Sequence, residues 1–189
     1  MDWKKNLEEY ESKKSWGSAI RFLQGIVEKN PHNAEAYVRM IYLIHNILVE
    51  EEYPESEHDH LFNLLKEYFE KSHRRFFNNS EYLFFVGKIL HIAEWYFGIN
   101  DREGLVENSL AYRMQKKAAE KEPNNLLFEW ACRLSLSDPL AGYLANQILQ
   151  YDDDIVAWLK SKGFPGTYII DCLEQSSQDY TESKQRNPH

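Results

Sequence analysis

Six carboxylates and no lysine or arginine occupy the ten residues from Glu50 to Asp59: Glu50, Glu51, Glu52, Glu55, Glu57 and Asp59. Such a density of acids steers cationic partners at long range, and Tyr53 in its midst can anchor them at short range. A second acidic string, Tyr151-Asp152-Asp153-Asp154, combines an aromatic and acids in the same way. The residues of both strings (Glu50, Glu51, Glu52, Tyr53, Glu55, Glu57, Asp59, Tyr151, Asp152, Asp153 and Asp154) are the candidates for binding a partner. A solvated turn with helix-capping acids is the competing reading. The densest metal-capable cluster, Glu57-His58-Asp59-His60, lies in the first string. Histidines at i and i+2 do not share a helix face, and acids at a helix start complement its dipole, so no metal is expected there. Metalloprotease, nucleophile-elbow and phosphate-loop motifs are missing, so neither catalysis nor a cofactor is expected.

The whole composition agrees with an acidic binding surface. The formal net charge is −8 over 189 residues, which repels phosphate backbones, excludes a dominant nucleic-acid role and suits a basic protein partner. Hydrophobic residues make up 43 % and aromatics 14 %, enough for a buried core in one domain. Only 8 glycines and 6 prolines are present, too few for the turns of an all-β fold. Cys132 and Cys172 lie in apolar helical contexts, with neither disulfide-framework nor zinc spacing. The residues after Met1 lead into no apolar secretory region, and no apolar run reaches membrane-spanning length. The expectation is a cytoplasmic protein, monomeric or weakly dimeric, with no membrane association.

Elements that must position these residues follow from helical apolar spacing. Trp3, Leu7 and Tyr10 mark a first helix. Ala19, Phe22, Leu23, Ile26 and Val27 mark a second, after a Ser15 cap, and Tyr37, Ile41, Ile44 and Leu48 a third, after Asn33. A fourth starts at Ser56, a fifth follows Asn79-Ser80 and carries Leu83 through Phe97, and Gly98 to Asp101 make a turn. A sixth spans Arg102 to Lys121, a seventh opens at Asn125, and Asp138-Pro139 start an eighth. Two short helices cover 152–160 and 165–173, and the chain from Ser176 to His189 is polar and reads as a frayed tail. Trp95-Tyr96-Phe97 and the Phe76, Phe77, Tyr82, Phe84, Phe85 run exceed what one helix face can bury, so part of them is expected at the surface. His73-Arg74-Arg75 makes a basic spot at a helix end.

The string Glu28-Lys29-Asn30-Pro31-His32-Asn33 returns 92 residues later as Glu120-Lys121-Glu122-Pro123-Asn124-Asn125, a helix stop written twice. Trp3, Tyr10, Ala19, Ile26 and Pro31 follow tetratricopeptide-repeat spacing, and Ala111, Ala118 and Pro123 repeat the last three offsets. The chain therefore resembles a tetratricopeptide-repeat protein in its first pair and sixth helix. Asn6-Leu7 stands in place of the family's Leu-Gly, and 92 is no multiple of the family's 34-residue period. The resemblance implies a scaffold that binds protein without catalysis. Glu8 stands where the chaperone-binding subgroup has an asparagine, so its carboxylate clamp is not expected. Arg39 and His45 also resemble, by spacing, a pair in a family of all-helical ribonucleases, where they position and protonate a phosphodiester. Met40 replaces the polar residue that family carries next.

The expected object is all-α: antiparallel helix hairpins stacked as a short right-handed tetratricopeptide-like solenoid of about ten helices. Residues 1–175 form one domain and 176–189 a polar tail. The expected role is non-catalytic protein binding through an acidic face, for example as a bacterial immunity protein that neutralises a basic nuclease toxin. An adaptor or co-chaperone binding a peptide in its concave groove is the alternative. A ribonuclease using Arg39 and His45 is the remote one.

Overall fold

A computed structural model describes residues 3–99 and 105–186. The described residues form ten α-helices and no strand: α1 (Trp3–Ser12), α2 (Trp16–Lys29), α3 (Ala34–Glu50), α4 (His58–Phe76), α5 (Ser80–Ala93), α6 (Leu110–Lys121), α7 (Leu126–Ser135), α8 (Leu140–Tyr151), α9 (Asp153–Lys160) and α10 (Phe164–Arg186). Short 3-10 turns cover Glu55–Glu57, Glu94–Phe97 and Val106–Asn108.

Side-chain caps set the starts of α3, α5, α6, α7 and α9. Asn33 accepts from the Ala36 amide at 3.1 Å, Asn79 from Tyr82 at 2.8 Å, and Ser109 from Tyr112 at 3.2 Å. Asn125 serves both Leu127 and Phe128, at 3.1 and 3.3 Å. Each cap satisfies an amide that the helix itself leaves unpaired, and losing one costs about 1 kcal/mol. Ser15 precedes α2 without such a bond.

The two stop strings fold alike. Asn30 ends α2 at φ −135°, ψ 79°, and Glu122 ends α6 at φ −131°, ψ 71°. Each precedes a proline, which drives the residue before it out of the helical region. Each also closes its helix with a backbone bond to the residue four back, Ile26 at 2.9 Å and Ala118 at 3.2 Å.

Consecutive helices pack on one another: α1 with α2, α3 with α4, α5 with α6, α7 with α8, α9 with α10. The pairs join through α3 with α5 and α5 with α7. Ala19, Ala111 and Ala118 are fully buried, which lets neighbouring helices approach closely. One core runs through the stack, with Tyr42, Phe84, Phe85, Leu90 and Trp130 shut from solvent. The Tyr42 hydroxyl donates to the Phe85 carbonyl at 2.8 Å, so its polar end is satisfied inside the core. Lys88 is buried with its ammonium 5.0 Å from the centre of the Trp130 ring; burial lowers its pKa.

The chain end departs from a simple ribbon, in which repeats touch only their neighbours. Helix α10 packs on α8 and also reaches back to α3. Phe164 and Tyr168 both meet Tyr42 edge-on, at 6.4 and 5.7 Å, and Trp158 stacks on Phe85 at 5.6 Å. Helices α9 and α10 thus pack against α3 and α5.

Several boundaries differ from the sequence expectation. The segment from Ser176, expected as a frayed tail, continues α10 to Arg186. Its Tyr180 lies over Gly142, where an added β-carbon would stand 2.5 Å away, and packs on Tyr143 at 6.1 Å. Asn146 donates to Ser177 at 3.2 Å. Residues 187–189 lie outside the described residues. Helix α6 starts at Leu110, after the Ser109 cap; the expected start at Arg102, like Asn100 and Asp101 of the expected turn, falls outside the described residues. Helix α5 ends at Ala93, where the backbone of Glu94–Phe97 tightens to 3-10 geometry before Gly98 turns at φ 70°. No helix among the described residues is long and apolar enough to cross a membrane.

Candidate partner-binding face

The acidic string from Glu50 to Asp59 closes α3, crosses to α4 and is fixed at three points. Tyr53 and His58 share a 2.7 Å hydrogen bond between hydroxyl and Nδ1, with the rings stacked 6.1 Å apart. Lys14, in the turn between α1 and α2, pairs with Glu51 at 2.9 Å. Glu57 closes its 3-10 turn by an amide bond to Pro54 at 2.8 Å. Glu50, Glu52, Glu55, Glu57 and Asp59 remain exposed and make no ion pair among the described residues. Between the string and α2 lies a cleft of 600 Å³ lined by Trp16, Ile20, Arg21, Glu52, Tyr53, Glu57 and His60 among others.

An apolar border follows directly. Val49 is 46 % exposed, Ile92 45 % and Trp95 45 %. Trp95 packs on Tyr96 at 5.7 Å, and Tyr96 meets the His45 ring edge-on at 5.7 Å. His45 also stacks on Phe97 at 6.4 Å. Burial lowers the His45 pKa to about 4, so the ring is neutral near pH 7. Its Nε2 is buried without a hydrogen-bond partner among the described residues. A smaller cavity of 250 Å³ opens between α3, α5 and α10, lined by Tyr42, His45, Asn46, Val49, Glu50, Ile89, Phe164 and Tyr168. The excess of aromatics at Trp95-Tyr96-Phe97 was the sequence signal for this border. The cavity had none, because α10 supplies one wall from more than a hundred residues away.

The second acidic string divides its labour. Asp152 caps α9 through the Ile155 amide at 3.0 Å. Asp153 and Asp154 are exposed in the first turn of α9, and Tyr151 is 74 % exposed. Asp154 borders a cleft of 340 Å³ with Glu81, Glu122, Phe128, Ile155 and Trp158. Lys162 links Glu81 at 2.8 Å to Glu35 at 3.9 Å, which places this string by the start of α3. The string around Glu50 sits at the other end of α3, about 22 Å along the axis. The two acidic strings therefore lie by opposite ends of α3 and do not form one patch.

Arg39 and His45 also face different neighbours. Arg39 is 1 % exposed, under Trp3 at 5.5 Å, with Glu8 and Glu35 each at 3.7 Å and the Ser161 carbonyl at 3.5 Å. Glu11 lies close enough for Arg39 to favour its charged form, yet burial raises its pKa overall. Arg39 fastens α1 and the turn before α10 to α3, whereas His45 faces Tyr96 and Phe97. His58 is engaged by Tyr53, and no three His, Cys, Asp or Glu side chains among the described residues lie together as a metal group. Cys132 and Cys172 are unpaired thiols. The opposite pole of α4 is basic: Lys71, Arg74 and Arg75 line a groove of 590 Å³. Nearby, Lys117 donates to the Phe77 carbonyl at 2.7 Å and Lys121 to Asn78 at 3.1 Å. Helix α4 thus carries acids at its start and bases at its end, the order its dipole favours.

No family model, curated protein or solved structure matches the chain.

Proposed function

We propose that this chain is a non-catalytic, tetratricopeptide-like protein-binding module that takes a basic protein on the face built around Glu50, Glu52, Glu55, Glu57 and Asp59. One observation carries the reading: these carboxylates are exposed, free of ion pairs among the described residues, and displayed on a segment pinned by Tyr53–His58 and Lys14–Glu51. Carboxylates held close together repel one another, and a cationic partner removes that cost while gaining a steered on-rate. A concrete form is a cytoplasmic immunity or inhibitor protein that covers the basic active site of a nuclease toxin. The alternative, an adaptor that takes a peptide in a concave groove, has no comparable cluster of free carboxylates among the described residues to support it. The ribonuclease reading loses its geometric support, because Arg39 and His45 face different neighbours.

The test is affinity capture from a native lysate at low and high salt. The wild-type chain and one with Glu50, Glu52, Glu55, Glu57 and Asp59 neutralised serve as paired baits. The reading expects a basic protein retained by the first bait, released by salt and missing from the second. Recovery of only acidic or neutral proteins, or equal capture by both baits, overturns it.

A further inference from the structure

Helix α4 ends as it begins, with charge left over, but of the opposite sign. Arg74, Arg75, Lys117 and Lys121 gather at its last turn and make no ion pair among the described residues. Three of them meet neutral acceptors: Arg75 donates to the Pro31 carbonyl, Lys117 to that of Phe77, and Lys121 to the Asn78 side chain. Such bonds leave the cationic charge uncompensated. Lys71, one turn earlier, is partly neutralised by Glu67. Lys71, Arg74 and Arg75 line the 590 Å³ groove together with Val27, Tyr37 and Tyr68, and Glu28 is the one acid among its lining residues. Phe77, just past the helix end, is 57 % exposed, with the Lys117 ammonium 4.8 Å from the centre of its ring.

What fits this pole is an exposed run of carboxylates on a firm backbone, with an apolar residue beside it. The segment from Glu50 to Asp59 has each property. Glu50, Glu52, Glu55, Glu57 and Asp59 are exposed, Tyr53–His58 and Lys14–Glu51 pin the segment, and Val49 beside it is half exposed. A pinned segment loses little freedom on docking. A long polyanion such as a nucleic acid fits less well, because the net charge of −8 repels it. The two poles of one molecule cannot meet, since the 19 residues of α4 hold them about 28 Å apart. Two molecules can bring them together. The net charge opposes their approach, yet at about 0.15 M salt exposed charges more than about 8 Å apart are largely screened, while those in contact across a joint are not.

We infer that the basic groove at the end of α4 receives the segment from Glu50 to Asp59 of a second copy, so that the chain associates with itself pole to pole. This goes beyond the protein-binding reading above, and a basic partner and a second copy compete for the same carboxylates.

Sedimentation equilibrium of the full chain tests it, at about 0.1 M and about 0.5 M salt. The average mass is expected to rise above that of the monomer with concentration at the lower salt and to return towards it at the higher. Two variants assign the contact. One replaces Glu50, Glu52, Glu55, Glu57 and Asp59 by Gln or Asn; the other carries Lys71→Gln, Arg74→Gln and Arg75→Gln. Each alone should associate at least about tenfold more weakly than the wild type. Mixed in equal amounts, they should regain association, because the intact basic pole of one meets the intact acidic pole of the other. Circular dichroism establishes that both variants are folded. A wild-type chain that stays monomeric at the lower salt overturns the inference and leaves the basic-partner reading standing. Association indifferent to salt or to either variant also overturns it. So does a mixture that associates no better than its components, since the two poles then do not meet each other.

Discussion

The α-carbon of Gly163 lies directly against the guanidinium of Arg39: a β-carbon there would stand 2.6 Å from Nη1 and 2.7 Å from Cζ. Gly163 also has φ 62°, a left-handed conformation that any L side chain adopts at a cost. The turn between α9 and α10 is therefore shaped around a buried cation on α3. Gly163→Ala combines left-handed strain with an overlap that a 1 % exposed arginine has no room to relieve. A loss of roughly 2 kcal/mol or more is expected in urea unfolding. Removing the arginine opens the space, so the glycine substitution should cost measurably less in an Arg39→Ala background. Additive effects in that double-mutant cycle would show that the contact does not constrain the turn.

The helix content and much of the capping were legible locally. Asn33, Asn79 and Asn125 sit just before apolar-periodic runs and cap as that position predicts. The repeated stop string folds to nearly the same backbone angles at Asn30 and Glu122, because the physics of a pre-proline helix end is contained in a few adjacent residues. What was not legible is what depends on distant partners. Arg39 among apolar residues gives no hint that Trp3, Glu8 and Ser161 converge on it. The polar letters after Ser176 read as a tail because their docking site, Gly142 and Tyr143, lies on another helix. The acidic strings were visible as strings, but their separation to opposite ends of α3 was not.

His45 gives the fold a pH dependence of predictable sign. Burial lowers its pKa from 6.5 to about 4, so between those values the unfolded chain binds more protons than the folded one. Stability therefore rises with pH across that window and falls as the solution is acidified through it. From pH 6.5 down to pH 5 the change is about 1.5 kcal/mol, less whatever solvent screens at a ring that is not wholly buried. His73 and His91 are also lowered by burial and tilt the curve the same way. Comparison with His45→Phe isolates the single residue: its stability should change less between pH 6.5 and 5 than that of the wild type. Parallel curves would mean that His45 charges in the folded state without penalty.

Neutralising the acidic face should leave the fold intact. Glu50, Glu52, Glu55, Glu57 and Asp59 are exposed and make no ion pairs among the described residues, so replacing them by Gln and Asn removes mutual repulsion. Glu57 and Asp59 also lie at the start of α4, where the helix dipole favours acids by about 0.3–1 kcal/mol each. These terms oppose one another, and the melting midpoint is expected to move by less than about 4 °C. Glu51 behaves differently, because it pairs with Lys14 and is largely shielded. A large drop in the midpoint of the five-fold variant would reassign these carboxylates from binding to structure.

The far end of α10 supplies the last expectation. Tyr180 covers Gly142 of α8 and packs on Tyr143, and its ring lies 4.7 Å from the Lys184 ammonium. Ser177, one turn earlier, accepts the Asn146 bond. Gln175–Asp179 and Gln178–Glu182 add hydrogen bonds at i, i+4 spacing along the exposed side, at 2.8 and 3.0 Å. A polar segment held this way behaves as folded helix. Amide hydrogen exchange should find residues 176–181 protected above the level of a fraying terminus. Tyr180→Ala should cost about 1–2 kcal/mol, less than a core aromatic because the ring is only half buried. Gly142→Val should cost more than Tyr180→Ala, since its side chain meets both the Tyr180 β-carbon and the Ser176 carbonyl, the latter 2.9 Å from an added β-carbon. Backbone cannot retreat as a flexible side chain can, so α10 must lift from α8 along this turn. The two substitutions should then share one effect: loss of exchange protection confined to residues after Leu173, with the protection of α3 and α5 retained.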